Sequence, residues 1–145
     1  MKNEWCPCFS GVLYVNCCKP FHEGKAPKTA EKLMRSRFSA YAKGLVDYII
    51  KTTHSKSVLA QQEKSVWKKS IEEFCKLVSF EDLKIFYSKE KEDIAVVIFY
   101  AFLKQGKEDV SFSEKSYFKK EKEGWLYYEG EVEMGYHPER FTQTF

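Results

Sequence analysis

Four of the five cysteines lie close together near the start of the chain. Cys6 and Cys8 flank a single proline, and eight residues separate Cys8 from the adjacent pair Cys17 and Cys18. Thiolates are preferred ligands of structural zinc, which binds about four of them in a tetrahedron. Metal binding would also order a segment too small to form its own core. The spacing therefore predicts a zinc site formed by Cys6, Cys8, Cys17 and Cys18, with His22 in place of Cys18 as the alternative.

Other uses of the four cysteines fit the sequence less well. The first residues carry charges and no apolar segment of a secretory signal, so we expect a cytoplasmic protein with reduced thiols rather than disulfides. The C-x-x-C spacing of thioredoxin-type redox sites is absent from the sequence. Four protein ligands saturate a zinc ion and leave no position for water, so we expect the metal to be structural.

Composition limits the partners that the protein can have. The chain has 145 residues, a net charge of +3 and 43% hydrophobic residues, which is typical of one globular domain with a small appendage. The longest apolar run, over 94–103, is too short to span a bilayer, so no membrane contact is expected. Residues 25–57 contain eight basic and two acidic residues, but the overall charge balance does not predict nucleic-acid binding.

The apolar pattern predicts helices first and strands afterwards. Between Thr29, the expected N-cap, and Gly44, the expected end, apolar residues recur at helical spacing. Further helices are predicted over 47–53 and 62–78, and strands over 79–88, 94–103, 110–119 and 125–132. This order indicates an α+β domain with a mostly antiparallel sheet. We expect residues 134–145 to form a tail that packs on the sheet.

A few polar residues could serve a pocket. Arg37 falls within the apolar stripe of the first predicted helix, where it would either bind an anion or form an ion pair with Asp47 or a sheet carboxylate. His54 could act as a base oriented by Asp47, or lie at a helix end and interact with its dipole. No known catalytic motif is present, so the catalytic residues stay unassigned. The predicted pocket residues are Arg37, Tyr41, Asp47, Tyr48 and His54.

The motifs carry a resemblance to a known family. CPCFSGVLYVNCC resembles the SEC-C motif, a zinc-binding unit of the form C-x-C-x8-C-[CH]. The stretch PFHEGKAPKTAEKLMRSRFSAYAKGLVDYI and the later Ser116, Phe118 and Gly124-Trp125-Leu126-Tyr127 are similar to the YchJ family of bacterial proteins. The resemblance covers essentially the whole chain. Two departures stand out: Phe9 replaces the usual glycine after the second cysteine, and Thr53-His54-Ser55 replaces the common Trp-His-Pro.

The resemblance implies a fold but no reaction. It implies a SEC-C unit over 1–24 with structural zinc, followed over 25–145 by an NTF2-like domain. That domain is a cone of helices packed on a curved, mostly antiparallel sheet that often encloses a cavity. Proteins with this fold often dimerise through the sheet, so a homodimer is one expected state. Fold alone does not assign an activity, and whether the protein is an enzyme stays open.

Two functional hypotheses follow. In the first, the protein is a binding or adaptor module. Its SEC-C unit would contact a protein through Phe9, Val12, Leu13 and Tyr14, and its cavity would hold a small-molecule ligand. In the second, the cavity is an enzyme site, isomerase-like or hydrolase-like, for a small polar or anionic substrate. Arg37 would then bind the substrate, and His54 or Asp47 would transfer a proton.

Overall fold

The computed structural model describes residues 4–145, so the first three residues of the predicted N-terminal unit lie outside the described residues. This unit contains a 3₁₀ turn over Tyr14–Asn16 and a one-turn helix, α1, over Lys19–His22. Three longer helices follow: α2 over Ala30–Lys43, α3 over Val46–Lys51 and α4 over Lys64–Leu77. A 3₁₀ turn over Val58–Gln61 precedes α4. None of the helices in the described part of the chain is long and apolar enough to cross a membrane.

Helix α2 begins and ends where its sequence predicts. The Thr29 side chain accepts a hydrogen bond from the Lys32 backbone N–H at 3.1 Å, which satisfies one of the free donors of the first turn. Gly44 ends the helix in the left-handed conformation with φ of 72°, which glycine adopts without a steric penalty. The positions of all α2 side chains follow from these two ends.

The second half of the chain forms one antiparallel sheet. Its strands are β1 over Ser79–Lys91, β2 over Ile94–Gln105, β3 over Glu108–Asp109, β4 over Phe112–Glu121 and β5 over Gly124–Met134. The strand order is β1-β2-β4-β5, and the short β3 pairs with β2. The register shifts twice along β1 and once between Tyr117 and Phe118, and such bulges bend a sheet. The predicted α+β class and strand regions are confirmed.

The main core lies between α2 and the inner face of the sheet. Leu33, Met34 and Phe38 of α2 pack with alternating β2 residues that include Val97 and Phe99. This alternation sends the intervening β2 residues to the outer face. The strand is nevertheless buried on both faces, because its outer face is also covered.

The C-terminal residues cover that outer face. The Tyr136 ring packs edge-on against Tyr100, with ring centroids 4.9 Å apart, and also against Phe86. Further along, Lys115 Nζ donates to Thr142 Oγ1 at 3.1 Å, and the Tyr87 hydroxyl donates to the Gln143 carbonyl. The C-terminal segment, residues 135–145, therefore packs on the sheet as the sequence predicts.

Candidate metal centre and cavity

The four N-terminal cysteines converge on one point. One sulfur from each of Cys6, Cys8, Cys17 and Cys18 lies within 4.8 Å of the other three. Cys17 and Cys18 are positioned by the junction of the 3₁₀ turn with α1, and Cys6 and Cys8 by a turn in which the Phe9 N–H bonds the Cys6 carbonyl. Phe9 has a φ of 60°, in the left-handed region that favours the glycine usual at this position of the SEC-C motif.

The cluster fits a metal ion of the zinc class. In a tetrahedral site with Zn–S bonds of about 2.3 Å, the sulfurs are about 3.8 Å apart. The Cys8 and Cys17 sulfurs are 3.6 Å apart, and all five cysteines of the chain are free of disulfides. Hydrogen bonds from the Cys18 and Cys6 thiols lower the pKa of Cys8. The four cysteines can therefore hold a metal.

The structure does not bring His22 into this cluster. Its Nδ1 lies 2.7 Å from the Tyr14 hydroxyl, and its Nε2 lies 2.8 Å from the Ser36 carbonyl oxygen. Because a carbonyl only accepts, Nε2 carries the proton and Nδ1 accepts from Tyr14. Burial lowers the pKa of His22, which favours this neutral ring. His22 joins the N-terminal unit to α2 instead of binding with the cysteines.

Three other contacts fasten the N-terminal unit to α2. Arg35 Nη1 donates to the Cys8 carbonyl at 3.0 Å, directly beside the metal-ligand candidates. The Phe9 ring packs edge-on against Phe38, and Lys43 bridges to Glu4 at 3.2 Å. Of the apolar residues predicted to face a protein partner, Tyr14 is buried and Phe9 is partly covered by α2. The N-terminal unit is thus docked along α2, and other side chains of α2 face the interior of the larger domain.

A cavity of about 510 Å³ lies between the helices and the inner face of the sheet. Helices α2 and α4, the 3₁₀ turn at 58–61 and strands β2, β4 and β5 contribute to its wall, which is rich in aromatic rings. The aromatic lining residues are Phe38, Tyr41, Trp67, Phe74, Phe80, Phe99, Phe112, Phe118 and Tyr127. The charged lining residues are Arg37 and Glu114. The interior is therefore a mostly apolar chamber with two charged side chains in its wall.

Arg37 and Tyr41, two of the predicted pocket residues, line this cavity. Arg37 is buried, and its Nη1 donates to the Ile49 carbonyl and to the hydroxyls of Thr52 and Thr53 at 2.8–3.1 Å. These acceptors lie at the C-terminal end of α3, where the helix dipole is negative. The guanidinium also lies over the Tyr127 ring, 4.7 Å from its centroid. The end of α3 thus compensates Arg37 in place of an ion pair with Asp47, and the sheet carboxylate of Glu114 shares the cavity wall with Arg37 without an ion pair.

The other three predicted pocket residues do not line the cavity. Asp47 is exposed and bridges to Lys68 at 3.3 Å. The buried Tyr48 hydroxyl lies 2.6 Å from Ser36 Oγ, beneath the N-terminal unit. His54 is placed between the end of α3 and the β4–β5 turn, where its Nε2 lies 2.9 Å from Glu121 Oε2. The carboxylate that orients His54 is therefore Glu121, from the far end of the chain, rather than Asp47.

The sequence reasoning missed Glu114, the second charged group of the cavity wall. Glu114 is 8% exposed, and its Oε2 accepts hydrogen bonds from Ser116 Oγ at 2.5 Å and the Tyr127 hydroxyl at 3.0 Å. Burial raises the pKa of Glu114, although both hydrogen bonds and the charge of Arg37 act in the opposite direction. The sequence does carry a signal for Glu114. It shares one face of its strand with Phe112, Ser116 and Phe118, and the two phenylalanines predict that this face, with its carboxyl group, is buried.

Comparisons with known proteins agree with this architecture. The family profile described as "YchJ, middle NTF2-like domain" matches residues 29–130. A UPF0225 protein of Actinobacillus succinogenes is 35% identical over 132 residues, which are 89% of this chain and 82% of that protein. A SEC-C motif containing protein of Rhodopseudomonas palustris has a solution structure that matches with a TM-score of 0.74 and 31% identity, covering 87% of this chain and 96% of that one.

A second solved structure extends the likeness. The crystal structure of a SEC-C motif containing protein from Psychrobacter arcticus gives a TM-score of 0.71 at 28% identity, over 90% of this chain and 84% of that chain. The profile match, the curated relatives and the helices-on-sheet architecture agree with the cysteine pattern of the N-terminal unit. The chain therefore belongs to the YchJ, or UPF0225, family, with an NTF2-like domain and a SEC-C-type cysteine cluster.

Proposed function

We propose that this protein binds a small molecule in its interior cavity. The observation that carries the proposal is an aromatic-lined chamber of about 510 Å³ with a buried carboxylate in its wall. Ligand sites are usually about 300–1,000 Å³, mostly apolar, and contain a few polar groups that fix the orientation of the ligand. The cavity has this size and this composition. Its occupant would be a compact molecule with an apolar body and a polar group.

Binding is a better account of the cavity than the enzyme hypothesis. A histidine and a second carboxylate were the candidates for proton transfer, but His54 and Asp47 do not line the chamber. Burial raises the pKa of Tyr127 and Tyr41, so their hydroxyls stay protonated. Among the described residues that line the cavity, this leaves Glu114 as the acid–base group. A single carboxylate without a second acid or base favours recognition over catalysis.

Probe binding tests this function. The neutral fluorophore N-phenyl-1-naphthylamine should gain fluorescence with the wild-type protein in a saturable way. Ser70→Trp places an indole in the cavity wall and should abolish the signal. Ser65→Trp is the matched control, because Ser65 is on the same helix but does not line the cavity. Equal probe binding by the two variants, or no saturable binding by the wild type, would contradict the proposal.

The N-terminal unit would serve this function as a zinc-stabilised clamp. The four sulfurs would occupy all positions of a tetrahedral zinc ion, which supplies folding energy and leaves no coordination site for a substrate. His22, Arg35 and Phe9 then transmit the rigidity of the unit to α2. Because α2 also carries Arg37 and Tyr41, the clamp supports the wall of the cavity.

A protein contact through the same unit is a second candidate function. Trp5 is 69% exposed, and Val12, also exposed, follows it in the same small unit. Contiguous exposed apolar side chains mark protein-binding surfaces, and the antiparallel bridge between Trp5 and Leu13 brings Trp5 beside the segment that carries Val12. A photo-crosslinking residue at position 5 should capture one defined protein in cells, whereas the same residue at position 58, which is equally apolar and exposed, should not. Identical products at both positions would contradict this candidate.

A further inference from the structure

The two charged groups of the cavity wall differ in how the protein compensates them. Arg37 is satisfied from one side by the carbonyl and hydroxyl oxygens at the end of α3 and from another by the face of Tyr127. These acceptors carry partial negative charge and lie within hydrogen-bond distance. The protein therefore compensates the positive charge of Arg37 with its own groups.

The negative charge of Glu114 is compensated less directly, because Arg37 in the same cavity wall lowers the pKa of Glu114 through space but forms no ion pair with it. No basic side chain lies within 4 Å of its carboxylate among residues 4–145. Its two partners, Ser116 and Tyr127, both donate to the same oxygen, Oε2. The other oxygen accepts no hydrogen bond from the described residues and is not enclosed as an orphaned atom, so it borders the open space of the cavity. A buried carboxylate in this state requires either a proton or a cation.

Aromatic rings line the cavity on the same sheet face as this carboxylate. Phe99 is directly opposite Glu114 in the pairing of β2 with β4. The Phe112 ring lies 6.2 Å from that of Phe99, and Phe118 follows on the same face of β4. The faces of aromatic rings attract cations, most strongly where water is excluded. A carboxylate among such rings has the composition of a site for an organic ammonium group.

We propose that the cavity selects a molecule with an apolar body and a protonated amine, whose ammonium group pairs with Glu114 beside the rings of Phe99 and Phe112. This inference rests on the proposed function of the cavity and names the chemical class of its ligand. It replaces the anionic ligand expected from Arg37, because an anion would face the Glu114 carboxylate while the positive charge it needs is already compensated. Burial raises the pKa of Glu114, which agrees with a carboxyl group that has no cation in direct contact.

Three naphthyl probes of nearly equal size test the proposal. They are 2-(2-naphthyl)ethylamine, 2-(2-naphthyl)ethanol and 2-naphthylacetate, which are cationic, neutral and anionic at pH 7.5. Titration calorimetry with the wild-type protein should give at least tenfold tighter binding of the amine than of the alcohol, and the weakest binding of the acetate. Glu114→Gln should remove the preference for the amine and leave the alcohol affinity within about twofold. Glu121→Gln, outside the cavity, is the control and should keep the preference.

The possible results separate this inference from the function on which it rests. If the alcohol binds as tightly as the amine, or if Glu114→Gln keeps the amine preference, the cavity still binds small molecules but the amine proposal is overturned. If none of the three probes binds and the neutral fluorophore also fails, both proposals are overturned. Tighter binding of the acetate than of the amine would return the specificity to Arg37 and overturn the inference.

Discussion

Gly130 leaves open the space that the Glu114 carboxylate occupies. A Cβ atom at position 130 would overlap Glu114 Oε2 and would lie 2.6 Å from the Tyr127 hydroxyl. Strand β5 faces Ser116 at this position, so the backbone of Gly130, the carboxylate and the two hydroxyls form one compact layer. Glycine is required here because of close approach rather than because of an unusual φ angle.

Gly130→Ala should therefore destabilise the protein and displace Glu114. We expect a loss of about 1–3 kcal/mol in the free energy of unfolding, the usual cost of forcing an extra carbon into a packed interior. Urea denaturation measures this loss. The matched control is the double variant with Glu114→Ala, which vacates the space, so the alanine at 130 should then cost much less. Additive effects of the two substitutions would show that the overlap is not what matters.

The raised pKa of Glu114 predicts how stability depends on pH. The folded protein holds the Glu114 proton at pH values where the unfolded chain has lost it, so this contribution is complete below the unfolded pKa and is lost as pH rises through the folded pKa. Glu114→Gln removes the contribution. The stability of the wild type minus that of the variant should therefore fall between pH 4.5 and the folded pKa, as measured by urea denaturation. A difference that rises with pH over this window would contradict the assignment.

Metal content should depend on the clustered cysteines and not on the fifth one. Native mass spectrometry of the wild type should show one zinc per chain. Cys8→Ser should abolish it and lower the melting temperature by at least about 5 °C, because the unit loses its main source of folding energy. Cys75→Ser is the control, since Cys75 belongs to α4 and is not in the cluster. Zinc retained in Cys8→Ser, or lost in Cys75→Ser, would exclude the four-cysteine site.

His22 should matter for docking rather than for metal content. His22→Ala removes the hydrogen bonds to Tyr14 and the Ser36 carbonyl, which should cost about 2 kcal/mol of stability. The variant should still carry one zinc per chain by native mass spectrometry. If histidine were a ligand in place of Cys18, His22→Ala would lose zinc and Cys18→Ser would retain it.

Arg37 and Arg35 offer a paired comparison on one helix. Arg37→Met leaves the Ile49 carbonyl and the two threonine hydroxyls without their shared donor, and we expect a loss of about 3 kcal/mol. Arg35→Met removes a single hydrogen bond to Cys8 and a partly exposed ion pair with Glu31, which should cost about 1 kcal/mol. Denaturation of both variants measures the difference. An equal cost would mean that the end of α3 does not depend on Arg37.

Local chemistry made much of the fold predictable. Thr29 and Gly44 set the ends of α2 by backbone rules that act within a few residues, and the alternation in β2 and β4 follows from the pleat of a strand. The four cysteines were predictable for a similar reason, because their spacing along a short segment limits where their sulfurs can meet. Position 9 was the exception, since its left-handed backbone tolerates Phe9 in place of glycine.

The polar part of the cavity could not be deduced in the same way. Arg37 was recognised as unusual, but its acceptors at the end of α3 become neighbours only through the turn at Gly44. The carboxylate that contacts His54 belongs to Glu121, which is 67 positions away in the sequence. The sequence favoured Asp47 because it is much nearer along the chain. The strand alternation indicated that Glu114 is buried. The space for its carboxylate, however, depends on Gly130 of the next strand, and the sequence does not show that these two residues are neighbours.

The C-terminal segment forms a second layer on the outer face of the sheet. Lys115 is 2% exposed beneath it, and Val96 and Ile98 lie on the same covered face. A second copy of the chain that bound to this face would first contact residues 135–145 and would have to displace them from the sheet. The lysine amine would then enter water and become open to acylating reagents. The reactivity of Lys115 therefore distinguishes a sheet covered by its own C-terminal segment from a sheet whose outer face contacts another chain.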